Sequence, residues 1–157
     1  NTLNSLYVLT IQKSDLAPVA VLKLSGIMRY VVTESSQEFV TLEKEINYIS
    51  DYIQLQKIRL DESVNFKYEI KGQLLNKSIA PLILIPFIEN AFKYGINPDE
   101  DSFIHISIET DEKYITLEVE NSIVNTTVDE TSKTEEGLRN TKKRLEIISV
   151  KKLILSN

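Results

Sequence analysis

The chain has no cysteine among its 157 residues, which excludes disulfides and thiolate metal sites and fits a reducing compartment. Basic residues are in the minority, 18 Lys and Arg against 23 Asp and Glu, for a net charge of -5. With no basic stripe to neutralise phosphates, the charge argues against binding nucleic acid by bulk electrostatics, and no direct nucleic-acid binding is expected. No apolar run reads as long enough to cross a bilayer, and the first residues do not form a signal peptide, so a soluble, cytoplasmic piece is expected, with any membrane attachment in regions outside it. The chain starts at Asn1 without a methionine and stops on Leu153-Ile154-Leu155-Ser156-Asn157, which reads as a strand cut short. A fragment of a longer protein, holding one or two folding units, is expected.

The chain begins in a helical register. Leu3, Leu6, Leu9 and Ile11 form a stripe too short to stand alone. Ser14 or Asp15, followed by Pro18, restarts a helix, along which Val21, Leu24, Ile27, Met28 and Val31 recur at three- and four-residue steps. Two such helices suggest an antiparallel hairpin whose stripe is covered by a second copy, a four-helix homodimer. Thr41 caps a third helix running to about Leu60, with Leu42, Ile46, Ile49 and Ile53 on one side and Glu43, Lys44, Glu45 and Asp51 on the other. The pattern then changes to strands. Val64, Phe66, Tyr68 and Ile70 alternate up to Gly72, Ile104, Ile106 and Ile108 form a second strand, and Ile115, Leu117 and Val119 a third, joined by a turn at Asp111-Glu112-Lys113. His105, the single histidine, lies opposite the apolar residues, the place of an ordinary sheet-face histidine rather than a phosphoryl acceptor. A domain boundary is expected within Val40 to Asp61.

Between the first and second of these strands lies Pro81 to Gly95, PLILIPFIENAFKYG. On a helix, Glu89 and Lys93 stand four apart on one face with Asn90 beside them. A carboxylate, a carboxamide oxygen and a cation at one spot suit a magnesium-bound polyphosphate; an amphipathic core helix with an exposed Glu/Lys pair has the same pattern. Further on, a strand ends on Glu120-Asn121-Ser122, a polar stretch from Asn125 to Glu136 reads as a loop, and Gly137 opens a helix carrying Leu138, Thr141, Leu145 and Ile148. Together these make sense around a nucleotide. The Glu120 carboxylate can accept the exocyclic amine of adenine, Asn90 can hold Mg²⁺, and Lys93 and the N-H groups opening the last helix can meet phosphates, with the loop as a lid.

The same residues resemble a known family. Asn1-Thr2-Leu3-Asn4-Ser5 resembles the segment that follows the phosphoacceptor motif of LytS-like sensor histidine kinases. Val40-Thr41-Leu42-Glu43-Lys44-Glu45 and Tyr52-Ile53-Gln54-Leu55-Gln56-Lys57-Ile58-Arg59 are similar to that family's linker helix, Glu89-Asn90-Ala91-Phe92-Lys93-Tyr94-Gly95 to its N box, and Gly137-Leu138-Arg139-Asn140-Thr141-Lys142-Lys143-Arg144-Leu145 to its last glycine box. The resemblance implies an α+β chain. An N-terminal helical hairpin, part of a dimerisation domain, is followed by a two-layer α/β sandwich with a mixed sheet, the Bergerat ATP-binding fold. It implies partial dimerisation helices and a linker helix over 1–60 and an ATP-binding catalytic domain over 61–157. By the same resemblance ATP and Mg²⁺ are the cofactors, and Glu89 and Asn90 belong to the catalytic motif with Asn90 on the metal. Lys93 and Tyr94 line the phosphate side, Glu120 replaces the adenine-reading aspartate with Asn121 beside it, Gly137 and Leu138 start the lid-closing helix, and Asn140 lies near the phosphates. The implied activity moves the γ-phosphoryl of Mg-ATP to a histidine just upstream of residue 1 and then to a response-regulator aspartate. The regulator is expected to be of the type with LytTR DNA-binding domains.

The chain departs from the family pattern at two glycine sites. Glu120-Asn121-Ser122-Ile123-Val124 stands where Asp-Asn-Gly and a further glycine are common, and Glu135-Glu136-Gly137-Leu138 where Gly-x-Gly-Leu is expected. Losing those glycines restricts the backbone, and the added glutamate puts negative charge near polyphosphate. Two alternatives therefore stand beside the kinase: a pseudokinase that keeps the fold for dimerisation and signal relay, and an ATPase or protein serine kinase of the same superfold.

Overall fold

The structure, a computed structural model, describes residues 2–61, 63–96, 101–122 and the backbone of 155–156. Helices α1 (Thr2–Ile11), α2 (Leu16–Glu34) and α3 (Leu42–Lys57) come first, with the short strand β1 (Val40–Thr41) ahead of α3. Then come β2 (Val64–Gly72), β3 (Ser78–Ile79), α4 (Ile85–Tyr94), β4 (Ser102–Thr110), β5 (Ile115–Asn121) and β6 (Leu155–Ser156). The architecture is α+β with a mixed four-stranded sheet in the order β2-β4-β5-β6. β2 runs parallel to β4, β4 antiparallel to β5, and β5 parallel to β6. β1 and β3 pair separately.

Each element has a local cause. Thr41 is extended, and its hydroxyl accepts from the Lys44 N-H at 3.4 Å, starting α3 where the sequence placed the cap. Leu42, Ile46, Ile49 and Ile53 are all buried on one side of α3, and each contributes about 1.5–3 kcal/mol by leaving water. In β4 the outward Phe103 and His105 alternate with the buried Ile104, Ile106 and Ile108. The β4–β5 turn is set by Asp111, whose Oδ1 accepts from the N-H groups of Lys113 at 2.6 Å and Tyr114 at 2.8 Å.

One core joins helices and sheet. Tyr30 of α2, the α3 stripe, Ile83 to Ile88, Ile104, Ile106, Ile108 and Leu117 form a single cluster. Thus α3 packs on the same core as the strands, and Ser50 on it meets the Tyr68 hydroxyl of β2 at 3.1 Å. A smaller cluster of Leu6, Ala20 and Leu55 ties α1, α2 and α3 together.

Three features differ from the sequence reading. Glu45, expected on the polar side of α3, is fully buried, because it lies three residues after Leu42 and four before Ile49 on the apolar stripe. The stripe read along α2 is divided. Leu24 and Ile27 pack inward, whereas Val21, Met28 and Val31 are exposed. Finally, α2 is by length and composition long and apolar enough to cross a membrane, although Lys23 and Arg29 interrupt its apolar run. One face of α2 meets α3. Lys23 Nζ lies 2.8 Å from Asp51 Oδ1, and at Gly26 a β-carbon would sit 2.8 Å from Asp51 Oδ2.

Candidate functional site

The local sequence places α4 firmly. Pro86 lies in its first turn, where its missing N-H has no intrahelical partner to lose. Ile85, Ile88, Ala91 and Phe92 are buried. The Phe92 ring is wedged between Phe66 of β2, with centroids 5.7 Å apart, and Tyr52 of α3, at 6.1 Å. Burying that side turns Glu89 and Lys93 outward, with Asn90 and Tyr94 half-buried beside them. The Lys93 ammonium reaches the Tyr94 hydroxyl at 2.5 Å and lies 4.5 Å from the ring centroid.

The Glu89 charge is felt by two α3 tyrosines, Tyr48 and Tyr52. Partial desolvation pushes the Glu89 carboxyl above the ordinary range. Tyr48 and Tyr52 are both raised, first by their own burial and then by the Glu89 charge, Tyr48 to about 12. Their spacing of four residues on α3 was the available signal, since it puts both rings on one helix face.

The far end of α4 is fixed against the sheet. The Gly95 N-H bonds to the Ala91 carbonyl at 2.8 Å, and a β-carbon at Gly95 would lie 2.7 Å from Cβ of Asn121. Asn121 is therefore the β5 side chain brought to α4, and its amide donates to the Ser122 carbonyl at 2.8 Å.

Glu120 is not brought there. Successive residues of a strand point to opposite faces, and Leu117, buried in the core, shares its face with Val119 and Asn121. Glu120 instead lines a depression on the outer face with Lys67, Glu69, Lys71, His105 and Glu118. Its Oε2 lies 3.9 Å from His105 Nδ1. The structure thus places Glu89, Asn90, Lys93 and Tyr94 together on α4 and sets Asn121 against Gly95 at the end of that helix, with Glu120 on the opposite face of the sheet. Gly137, Leu138, Asn140 and the loop expected to act as a lid lie outside the described residues.

A helix face offering a carboxylate, a carboxamide and an ammonium is chemistry for an anionic ligand with a hard cation. Comparison with known proteins bears on the class of the chain, through its N-terminal part most directly. The histidine kinase family model matches residues 1–64. The chain is also 34% identical over 95 residues to sensor protein kinase HptS of Staphylococcus aureus, in strains USA300 and NCTC 8325 alike. The matched segment is 60% of this chain and 18% of those proteins, so the chain spans under a fifth of the relatives' length. Both matches support a relation to the LytS-like sensor histidine kinases.

Proposed function

We propose that the chain is part of the cytoplasmic kinase core of a two-component sensor, and that the α4 face with Asn121 binds Mg-ATP. The carrying observation is the grouping of Glu89, Asn90 and Lys93 on the open side of a helix whose other side is locked into the core. The donor set fits magnesium. Asn90 and Glu89 supply oxygens, and no cluster of three or more His, Cys, Asp or Glu that could hold a metal occurs among the described residues, so phosphates and water would complete the shell, as Mg²⁺ prefers. An ion held there by Asn90 and Glu89 would supply neutralisation of phosphate charge.

In this reading Asn90 holds the metal, Lys93 meets the phosphates, and Tyr94 lines their side. Gly137, Leu138 and Asn140 complete the phosphate end. Asn121 rather than Glu120 is assigned to the β5 end of the site; its position against Gly95 at the end of α4 supports this, Glu120 being on the other sheet face. The transfer forms a bond from an imidazole nitrogen to the γ-phosphorus and breaks the bond to the β,γ-bridging oxygen, with ADP leaving; a response-regulator aspartate then takes the phosphoryl group. The protein's part is positioning and charge neutralisation.

The helices α3 and α4 on one side of a mixed sheet support a Bergerat-type ATP-binding domain within 61–157, with α3 packed onto its core. Residues 1–60 supply the dimerisation helices, and the exposed Leu22, Met28 and Val32 of α2 suit a second copy. The regulator is of the LytTR type and carries the DNA-binding function. Calorimetry with Mg-ADP tests the site: binding to the chain, weakened at least about tenfold in Asn90→Ala, is expected, and no heat at millimolar nucleotide overturns it.

A further inference from the structure

Glu45 of α3 is completely buried, yet it lies outside the α4 face described above. Its Oε2 accepts from the Tyr30 hydroxyl of α2 at 2.5 Å and from the Leu82 N-H at 3.0 Å. The backbone N-H groups of Ile83 and Leu84 lie close enough to hold its pKa down, but Oε1 has no partner of good hydrogen-bond geometry among the described residues. The Tyr30 ring stacks on Tyr48, centroids 4.6 Å apart. Leu82 has a left-handed backbone, φ +59°, a conformation rare for leucine that needs outside support. Three residues later α4 begins, and Glu89 and Asn90 follow within its second turn.

The arrangement is costly for a mere filler of space. A buried carboxylate is tolerated only when bonded, and an apolar side chain of similar volume often stabilises a fold as well or better. What the carboxylate adds is geometry: one oxygen is held jointly by a side chain of α2 and by the turn that launches α4. The two other polar links between α2 and α3 among the described residues, Lys23–Asp51 and Glu34–Lys44, are both partly exposed, and neither touches that turn.

We propose that Glu45 is a positioning residue that ties the seating of α2 to the start of α4, so that displacing Tyr30 from it loosens the Leu82 turn and with it the placement of Glu89 and Asn90. Its consequence for nucleotide binding rests on the function proposed above; the mechanical coupling does not.

The test uses the whole chain without nucleotide first. Tyr30→Phe removes the hydroxyl and keeps the ring on Tyr48, whereas Glu45→Ala leaves several buried groups unpaired and is expected to unfold the chain. Residue-resolved amide hydrogen exchange should show Leu82 to Ile88 opening about tenfold faster in Tyr30→Phe, relative to β4 and β5 in the same sample. Lys23→Met, which cuts a different α2–α3 link, should leave Leu82 to Ile88 unchanged. A change confined to α2 and α3, a uniform change across the sheet, or an equal effect of Lys23→Met overturns the coupling. In the second arm Mg-ADP affinity should fall in Tyr30→Phe and not fall further when Glu45→Gln is added; independent, additive losses overturn it. If the unaltered chain binds no Mg-ADP, the nucleotide reading fails and the exchange result alone decides the coupling.

Discussion

Gly95 and Asn121 approach so closely that a β-carbon on the glycine would stand 2.7 Å from Cβ of the asparagine and 2.5 Å from the Ala91 carbonyl. The C-terminal end of α4 is thereby seated on the end of β5. Gly95→Ala must force the helix off the strand and is expected to destabilise the chain by about 1–3 kcal/mol in urea denaturation. Asn121→Ala should not rescue it, since alanine keeps the offending Cβ; full rescue would show that the contact is not the cause.

Phe92 anchors the middle of α4 between Phe66 and Tyr52. Phe92→Ala should cost about 3–5 kcal/mol, enough to unfold much of a marginally stable chain. Phe92→Leu should cost less and leave the helix in place. Circular dichroism through a denaturant series checks both, and equal losses would contradict the packing described.

At Gly26 an added methyl would press on Asp51 Oδ2, the far end of a flexible side chain. Gly26→Ala should gain about 1 kcal/mol of helix propensity and lose about 0.2–1 kcal/mol from the partly exposed Lys23–Asp51 pair. A net change near zero or slightly stabilising is expected, and combining it with Asp51→Asn should show that the ion pair no longer contributes.

Burial raises the Glu45 carboxyl above its ordinary 4.5, with the bonds from Tyr30 and from the backbone of 82–84 opposing the shift. The folded state therefore holds the proton more tightly than the unfolded state. The stability this confers is full below about pH 4.5 and is lost as pH rises through the raised folded value. Glu45→Gln removes that loss, so the stability of the variant relative to the natural chain should improve steadily as pH rises from about 4.5. Urea denaturation at stepped pH reads the difference; two parallel curves would contradict it. Tyr30, Tyr48 and Glu34, the other titratable groups around this site, are common to both chains.

Much of the architecture was legible in the residues. The Thr41 cap, the α3 stripe, the alternation through Ile104, Ile106 and Ile108, and the Asp111 turn are local patterns, and local physics decides them. Less was legible where one position separates two outcomes. Counting on from Leu117 and Val119 puts Asn121 inward and Glu120 outward, an alternation that acidity at Glu120 does not reveal. Glu45 was assigned by polarity to the solvent side, although its spacing from Leu42 and Ile49 places it inside. The influence of Glu89 on Tyr48 and Tyr52 depends on how α3 lies against α4, where Tyr52 meets Phe92, a tertiary fact that spacing along either helix does not contain.

The central claim is that one nucleotide site forms on the α4 side of the sheet. Titrating the isotope-labelled chain with Mg-ADP and following its amide and side-chain signals tests this most directly. The account predicts shifts at Asn90, Lys93, Tyr94, Gly95 and Asn121, with Lys67, His105 and Glu120 on the opposite face unmoved. Shifts centred on His105 and Glu120, with α4 silent, would contradict it.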